Sequence, residues 1–201
     1  MIKNIVFDIG NVLVGYDWKR HYLNRKYPEE CYEEVANAIW RSKDWDEYDR
    51  GVLSDDQITE LFIKNAPGQE QLIRMMTADY HGLCYKKDYA IDWINELKGQ
   101  GFKVFYLSNY SYKMRTDCAD ALGFIPYMDG GIMSCDVKVI KPMPEIYRLL
   151  LEKYDLKAEE CVFLDDTKVN VEGAEREGFF AIHFRDKAQA EAELAELLKR
   201  E

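Results

Sequence analysis

Residues 3–14 read KNIVFDIGNVLV, and this stretch decides the fold that we expect for the whole chain. Ile5, Val6 and Phe7 are apolar residues that favour a buried β-strand, and the run ends in Asp8 before a Gly-Asn pair breaks it. Such a strand delivers a carboxylate to its carboxyl end. Asp8 is therefore the first candidate for chemistry, although an aspartate after a strand can also serve only to bind turn amides.

Beyond residue 86 the pattern alternates between helices and short apolar strands. Strands are predicted at 103–107, 132–134, 161–164 and 179–183, and helices at 88–97, 112–122, 144–153, 169–177 and 188–199. Alternation of this kind predicts right-handed βαβ units. The fold class is therefore α/β, with a doubly wound parallel sheet that carries helices on both faces.

Between the first strand and this series, residues 16–86 show a helical pattern without a convincing strand. Ser54 followed by Gln57 resembles a capping box that opens one of these helices. We predict that residues 16–86 form an α-helical cap domain above the carboxyl edge of the sheet. Residues 1–15 and 87–201 then form the α/β core domain.

The composition excludes several classes of function. A net charge of −10 over 201 residues repels a phosphate backbone, which argues against a nucleic-acid partner. No apolar run approaches the roughly 18 residues that cross a bilayer, and the first residues lack the pattern of a signal peptide. We therefore expect a cytoplasmic protein, monomeric or weakly dimeric, without a membrane partner. The five cysteines contain no C-x-x-C pair and indicate reduced thiols.

Polar side chains stand where the predicted strands end, and in an open parallel sheet ligands bind beyond these carboxyl ends. A lysine before the helix at 144–153 completes the set, which comprises Asp8, Ser108, Asn109, Lys141, Asp165 and Asp166. Converging carboxylates need a cation to stay ionised, and a few hard oxygen ligands suit Mg²⁺. Hydroxyl, amide and ammonium groups beside them form a cradle for a dianionic group. The pattern predicts a phosphoryl-transfer site with Asp8 as the nucleophile.

Four motifs stand in the order FDIGNV, YLSN, IKPMPEIY and FLDDTKVN, and a helical insert follows the first of them. In this arrangement the chain resembles the haloacid dehalogenase-like hydrolase superfamily, in the branch with a helical cap. The first motif resembles that of sugar-phosphate phosphatases with a D-x-G-N-V sequence. The resemblance covers nearly the whole chain, and the four motifs together are specific.

The resemblance implies a covalent mechanism. Asp8 would attack phosphorus and form an aspartyl-phosphate, which water then hydrolyses. Ser108 and the Asn109 amide would hold the transferring oxygens, and Lys141 would stabilise the charge on Asp8 and on the phosphoryl group. Ser108 has a plainer alternative role, as the cap of the helix that follows it.

The resemblance also implies a Mg²⁺ site. Asp8 and the Gly10 carbonyl would contribute ligands beside the nucleophile, Asp166 would bind the ion directly, and Asp165 would act through water. Asn170 would orient Asp165. Asp165 could instead only cap the following helix.

Gly10 is a departure from the usual pattern of the resembled phosphatases. These enzymes carry a second aspartate two residues after the nucleophile, where it protonates the leaving group and later activates water. Without it, we expect good leaving groups to be cleaved better than simple alkyl phosphates, unless another group supplies the proton. Glycine could also stand there because the backbone needs a positive φ.

The leading hypothesis is a Mg²⁺-dependent phosphatase of small phosphorylated metabolites, sugar phosphates among them. One alternative is a 2-haloacid dehalogenase, in which the same Asp8 displaces halide from carbon without a metal. Another is a catalytically impaired phosphate or metabolite binder, which Gly10 makes credible. Aromatic residues of the predicted cap either line the substrate pocket or pack in the helical core: Tyr16, Trp18, Trp40, Trp45 and Tyr48.

Overall fold

The computed structural model describes residues 1–199, and its centre is a five-stranded parallel sheet with the strand order β5-β4-β1-β6-β7. Arg200 and Glu201, the end of the predicted core range, lie outside the described residues. The strands are β1 (Asn4–Phe7), β2 (Val14–Tyr16), β3 (Cys84–Lys86), β4 (Lys103–Ser108), β5 (Gly130–Met133), β6 (Cys161–Asp165) and β7 (Phe180–His183). The chain builds outward from β1 in both directions, so the predicted doubly wound α/β fold is confirmed.

Eleven α-helices lie within the described residues. They are α1 (Trp18–Asn24), α2 (Tyr32–Ala38), α3 (Asp44–Arg50), α4 (Asp55–Asn65), α5 (Glu70–Ala78), α6 (Ala90–Gly99), α7 (Tyr112–Asp117), α8 (Ser134–Val137), α9 (Pro144–Tyr154), α10 (Lys168–Arg176) and α11 (Lys187–Lys199). Short 3-10 helices occupy Glu29–Cys31, Ala119–Leu122, Ile125–Tyr127 and Ala158–Glu160. Within the same residues, none of these helices has both the length and the apolarity to cross a membrane.

Strand β1 is buried on both faces because helices cover both sides of the sheet. Phe7 faces one side and contacts Trp93 of α6 with ring centroids 4.7 Å apart. Val6 faces the other side, in a cluster that includes Tyr147 of α9 and Phe163 of β6. Full burial of a side chain such as Phe7 stabilises the fold by about 1.5–3 kcal/mol. The continuous apolar run predicted this two-sided burial.

The strand register brings the candidate residues to one edge. Phe7 pairs with Tyr106 of β4 and with Leu164 of β6, so the residues that follow them emerge side by side. The backbone N–H of Asp8 donates to the carbonyl of Leu164 at 2.8 Å, which extends the pairing by one residue. The nucleophile candidate is thereby fixed to the sheet.

Two short strands correct the prediction that residues 16–86 contain no strand. β2 and β3 pair antiparallel, with Val14 opposite Lys86 and Gly15 opposite Tyr85. A Cβ atom on Gly15 would lie 2.2 Å from Cζ of Tyr85, so the pairing needs a residue without a side chain. Three-residue strands that pair across about 70 residues leave no periodic signal, which is why the prediction was wrong here.

Along the chain, helices α1–α5 come between β2 and β3, the two strands of this ribbon. The predicted capping box is present, because Ser54 Oγ accepts from Gln57 N at 3.2 Å and Gln57 Oε1 accepts from Ser54 N at 2.9 Å. The division into a core domain and a cap domain over 16–86 stays a prediction.

Some predicted boundaries are also wrong. The single helix expected over 112–122 ends as α7 at Asp117 and continues as a 3-10 helix, and Ser134 begins α8 rather than ending a strand. All five cysteines are free in the structure.

Candidate active site

A pocket of about 440 Å³ opens at the carboxyl edge of the sheet. Its floor is formed by the loops that follow β1, β4 and β6, and its opposite side by residues of the segment that runs from the end of β2 to α3. These helix-side residues are Tyr16, Trp18, Trp40, Trp45, Asp46 and Asp49. The pocket therefore lies where ligands bind in open α/β sheets.

Asp8 lies at the floor of this pocket and is 6% exposed. One of its oxygens, Oδ1, accepts hydrogen bonds from Ser108 Oγ at 2.8 Å and from Lys141 Nζ at 2.7 Å. The other oxygen, Oδ2, is left for a different partner. Ser108 does not cap α7, because Ser111 fills that role by accepting from Met114 N. The hydroxyl of Ser108 is thus part of the pocket floor.

Lys141 is the buried cation of the site, with only 1% of its side chain exposed. Its ammonium bridges Asp8 and Asp165, at 2.7 Å and 2.6 Å. Burial lowers the pKa of Lys141, but the charges and hydrogen bonds of Asp165 and Asp8 outweigh it and leave the pKa raised. Lys141 is therefore held as a charged group between two carboxylates.

The side chain of Asn109 positions Lys141. Asn109 Oδ1 accepts from Lys141 N at 2.8 Å, and Asn109 Nδ2 donates to the Lys141 carbonyl at 3.0 Å. Both bonds are made to the backbone of Lys141, which precedes the cis peptide bond to Pro142. Because both polar atoms of the side chain are bound to Lys141, the backbone N–H is the group with which Asn109 can bind a substrate oxygen.

Asp165 is surrounded by donors and is fully buried. Its Oδ1 accepts from Thr167 N at 2.7 Å, while Asn170 Nδ2 lies 3.2 Å from Oδ1 and 3.1 Å from Oδ2. Lys141 Nζ also donates to Oδ2, at 2.6 Å. Asp165 thus contacts Thr167, Asn170 and the lysine. It does not cap α10, because the N-cap of that helix is Thr167 and no side chain makes a cap hydrogen bond there.

Asp166 is more open to the pocket. Its Oδ2 accepts from Asn11 Nδ2 at 2.8 Å, and His183 Nε2 lies 2.9 Å from its backbone carbonyl. Asn11 has a left-handed backbone with φ of 54°, which turns its amide toward Asp166. The sequence analysis did not single out Asn11, although asparagine is among the residues that tolerate this conformation.

Asp8, Asp165 and Asp166 form a cluster in which one carboxylate oxygen of each lies within 4.8 Å of the others. Burial is the main cause that raises the pKa of Asp8; Lys141 opposes the rise and the charges of Asp165 and Asp166 add to it, so that the pKa is about 7. A divalent cation would relieve this repulsion and keep Asp8 ionised. The all-oxygen donor set, with unused lone pairs on Asp8 and Asp166, fits Mg²⁺.

Gly10 does not have the positive φ that was one explanation for it; Asn11 has that conformation instead. The space beside Gly10 is filled by another residue. A Cβ atom there would lie 3.1 Å from Tyr16 Oη, 3.3 Å from Tyr16 Cε2 and 3.6 Å from Asp8 Oδ2. Glycine therefore makes room for the phenol of Tyr16 beside the nucleophile candidate.

The helix side of the pocket is aromatic and acidic. Tyr16, Trp18 and Trp40 stack in a row, with centroid distances of 5.9 Å and 4.5 Å between successive rings. Trp45 meets Trp18 edge-on at 5.3 Å. Of the five aromatic candidates in the predicted cap, Tyr48 alone is a core residue, 4% exposed and absent from the pocket lining.

Comparison with known proteins identifies the family. Residues 2–178 match the family model described as haloacid dehalogenase-like hydrolase. The chain belongs to the haloacid dehalogenase-like hydrolases. The match spans the β1 motif, the helical segment and the motif at the end of β6, so the predicted family and hydrolase class are confirmed.

Relatives of this hydrolase include proteins named as phosphatases. The sesquiterpene phosphatase astK of Aspergillus oryzae is 27% identical over 201 residues, with 98% of this chain and 96% of that protein covered. The D-ribitol-5-phosphate phosphatase of Bacteroides thetaiotaomicron is 25% identical over 206 residues, with coverage of 98% and 99%.

Solved structures share the fold of this hydrolase. A variant of a haloacid dehalogenase family enzyme from Bacteroides thetaiotaomicron, in complex with magnesium and inorganic phosphate, has a TM-score of 0.72 at 18% identity. The alignment covers 92% of this chain and 95% of that one. An L-2-haloacid dehalogenase from Xanthobacter autotrophicus, with chloropropionic acid covalently bound, has a TM-score of 0.66 at 24% identity and coverage of 90% and 76%.

Proposed function

We propose that this hydrolase is a Mg²⁺-dependent phosphatase that cleaves small phosphate monoesters through an aspartyl-phosphate on Asp8. The observation that carries the proposal is the arrangement around Asp8. One of its oxygens is fixed by Ser108 and Lys141, and its carboxylate belongs to a cluster with Asp165 and Asp166. This arrangement combines a positioned nucleophile with groups that neutralise a phosphoryl dianion.

Each residue then has a defined task. Asp8 Oδ2 attacks phosphorus, while Oδ1 stays bound to Lys141. Ser108 Oγ, the Asn109 N–H and the Lys141 ammonium bind the transferring oxygens and favour the charge that develops on them. The Asn109 side chain holds the backbone of Lys141, so the ammonium stays on the line between Asp8 and Asp165.

The metal would be held by Asp8, Asp166 and the Gly10 carbonyl. Asp165 would act indirectly, through its contacts to Lys141 and Asn170. When bound, Mg²⁺ supplies positive charge that orients the phosphoryl group and keeps Asp8 ionised. The complex of a structural neighbour with magnesium and phosphate supports this part of the proposal.

The helix side of the pocket supports a substrate whose leaving group has no second negative charge. Asp46 and Asp49 line that side, and among residues 1–199 Lys141 is the one lysine or arginine in the pocket lining. A second phosphate or a carboxylate on the substrate would face carboxyl groups without a cation. Aromatic faces suit the apolar edges of a sugar alcohol or a hydrocarbon. Residues 16–86 would thus act as the cap that selects the substrate and excludes water.

The test is phosphate release from a panel of esters, with Mg²⁺ and with a chelator. We expect Mg²⁺-dependent release from neutral sugar and sugar-alcohol phosphates, and little from phosphoesters that carry a carboxylate. Asp8→Asn should reduce turnover to background, and Asp166→Ala should remove the response to Mg²⁺. Asp56→Asn, on an exposed position of α4, is the matched control and should retain the parent rate.

Two results would overturn the proposal. Unchanged turnover in Asp8→Asn would remove the covalent mechanism. Halide release from chloroacetate with chelator present, and no phosphate release, would instead identify a dehalogenase.

A further inference from the structure

The usual position of the proton donor in such a phosphatase, two residues after the nucleophile, is Gly10 in this chain, and the phenol of Tyr16 fills the space beside it. A Cβ atom on Gly10 would already lie 3.1 Å from Tyr16 Oη, and an aspartate would have three further heavy atoms to place there. An alkoxide leaving group nevertheless needs a proton. The donor must therefore be another group that lines the pocket.

Asp49 is the group that elimination leaves. Among the described residues, the carboxyl groups that line the pocket belong to Asp8, Asp46, Asp49 and Asp166. Asp8 is the proposed nucleophile and Asp166 the proposed metal ligand, while Asp46 is exposed to water. Asp49 is 8% exposed and lies on the helix side, opposite the pocket floor. The phenols of Tyr16 and Tyr110 are poorer donors, because burial raises the pKa of each above 10.0.

The backbone of Asp49 is fixed relative to the phosphoryl-binding loop. Its carbonyl accepts from Ser134 Oγ at 2.5 Å, and the same hydroxyl accepts from Tyr110 N at 2.9 Å. Tyr110 follows Ser108 by two residues in the loop after β4. One serine thus joins α3 to the loop whose amide and hydroxyl would hold the substrate, which gives Asp49 a defined position over the pocket floor.

The surroundings of the Asp49 carboxyl favour its protonated form. Asp46 on the same helix and Asp8 on the floor both face it with negative charge, while the Ser111 N–H donates to it. Lys141 is the facing cation, and two carboxylates already hold its ammonium. Burial, together with the charges of Asp46 and Asp8, raises the pKa of Asp49 well above 3.8. The pocket therefore places, opposite its floor, a carboxyl group whose surroundings favour the protonated form.

We propose that Asp49 is the general acid of this enzyme, an inference that rests on the function proposed above. As Asp8 forms its bond to phosphorus, the bond between phosphorus and the leaving oxygen breaks and its electron pair stays on that oxygen. The oxygen takes the proton of Asp49, and a neutral alcohol departs. In the second half, the Asp49 carboxylate takes a proton from the water that attacks phosphorus, and phosphate leaves. Asp8 returns to a carboxylate and Asp49 to an acid.

The experiment compares two esters in the holoenzyme with Mg²⁺. Glycerol phosphate has a strongly basic leaving oxygen, whereas p-nitrophenyl phosphate has a leaving group that needs no proton. We expect Asp49→Asn to lower kcat/KM for glycerol phosphate by about 10²–10⁴ and for p-nitrophenyl phosphate by less than about tenfold. Asp56→Asn should change neither. The retained rate on the aryl ester shows that the variant is folded and that its nucleophile works.

Several outcomes would overturn the assignment of Asp49. An equal loss on both esters indicates a structural role, and a loss selective for the alkyl ester in Asp46→Asn or Tyr16→Phe instead moves the donor to that residue. The wild-type enzyme offers a second measurement that needs no variant, since a working general acid keeps kcat/KM nearly level as the leaving oxygen becomes more basic. A steep fall overturns the proposal. Wild-type protein that cleaves neither ester refutes the proposed function itself.

Discussion

Removing the charge of Lys141 tests the electrostatic centre of the site. In Lys141→Met a side chain of similar length keeps the packing while the ammonium is lost. The Asp8 and Asp165 oxygens that it contacts at 2.7 Å and 2.6 Å are then left buried without their cation. We expect large losses of both stability and turnover.

The magnitude follows from burial. Removing one member of a buried ion pair costs about 3–5 kcal/mol, because the partner stays in a medium that solvates it poorly. For a chain of this size each kcal/mol corresponds to about 2–4 °C, so the Tm should fall by about 6–20 °C. Mg²⁺ should recover part of this loss by returning positive charge to the cluster. Lys141→Met with Asp8→Asn should also be more stable than Lys141→Met alone, since one uncompensated charge is removed.

Thermal unfolding followed by circular dichroism, in chelator and in Mg²⁺, measures these effects. The control is Lys3→Met, because Lys3 contacts Glu160 at the same 2.7 Å but with 59% of its side chain exposed. Exposed pairs contribute about 0–1 kcal/mol. If the two variants lose the same stability, burial does not set the strength of the Lys141 contacts and the argument is refuted.

Three further predictions address residues around this centre. Asn109→Ala removes both bonds to the Lys141 backbone, each contributing about 0.5–1.5 kcal/mol, and should lower kcat more than it raises KM; an unchanged kcat in steady-state assays contradicts this. Gly10→Ala should destabilise the protein because its Cβ meets Tyr16 Oη at 3.1 Å, and combination with Tyr16→Phe should restore part of the lost Tm. The raised pKa of Asp49 means that the folded state holds a proton that the unfolded state releases above pH 3.8, so stability falls as pH rises from there. Asp49→Asn lacks this dependence. Urea titrations should therefore show that its free energy of unfolding, relative to that of the parent, increases between pH 4.5 and 7.5.

The sheet and its catalytic edge could be predicted because β1 and β6 are apolar runs that end in aspartates. Such runs satisfy local preference and burial together, so the parallel sheet, its helices and the gathering of the tip residues follow from the sequence. The chemistry expected of Asp8, Ser108 and Lys141 could be predicted too, because it follows from the types of residue that stand at and near the strand ends. Their catalytic roles stay predictions until turnover is measured.

The ribbon of β2 and β3 could not be predicted by the same means. Each strand has three residues, too few for a period of two to be recognised, and their pairing depends on the return of the chain after α1–α5. The tight approach of Tyr85 to Gly15 is likewise a contact between residues far apart in sequence. Nothing local to either strand encodes it.

The same limit applies to the helix side of the pocket, where Asp49 lies. On its own helix, Asp49 is one of several acidic residues, three of which occupy the first turn, and the sequence marks it no differently from them. What distinguishes it is a hydroxyl from α8, an amide from the loop after β4 and the carboxylate of Asp8, all contributed by distant parts of the chain. Gly10 is a local sign, since in the proposed mechanism the acid that is absent from this position is supplied from elsewhere in the chain. If Asp49 supplies it, the active site is complete only where α3 rests against the sheet edge, and the position of that helix becomes a condition for protonating the leaving group.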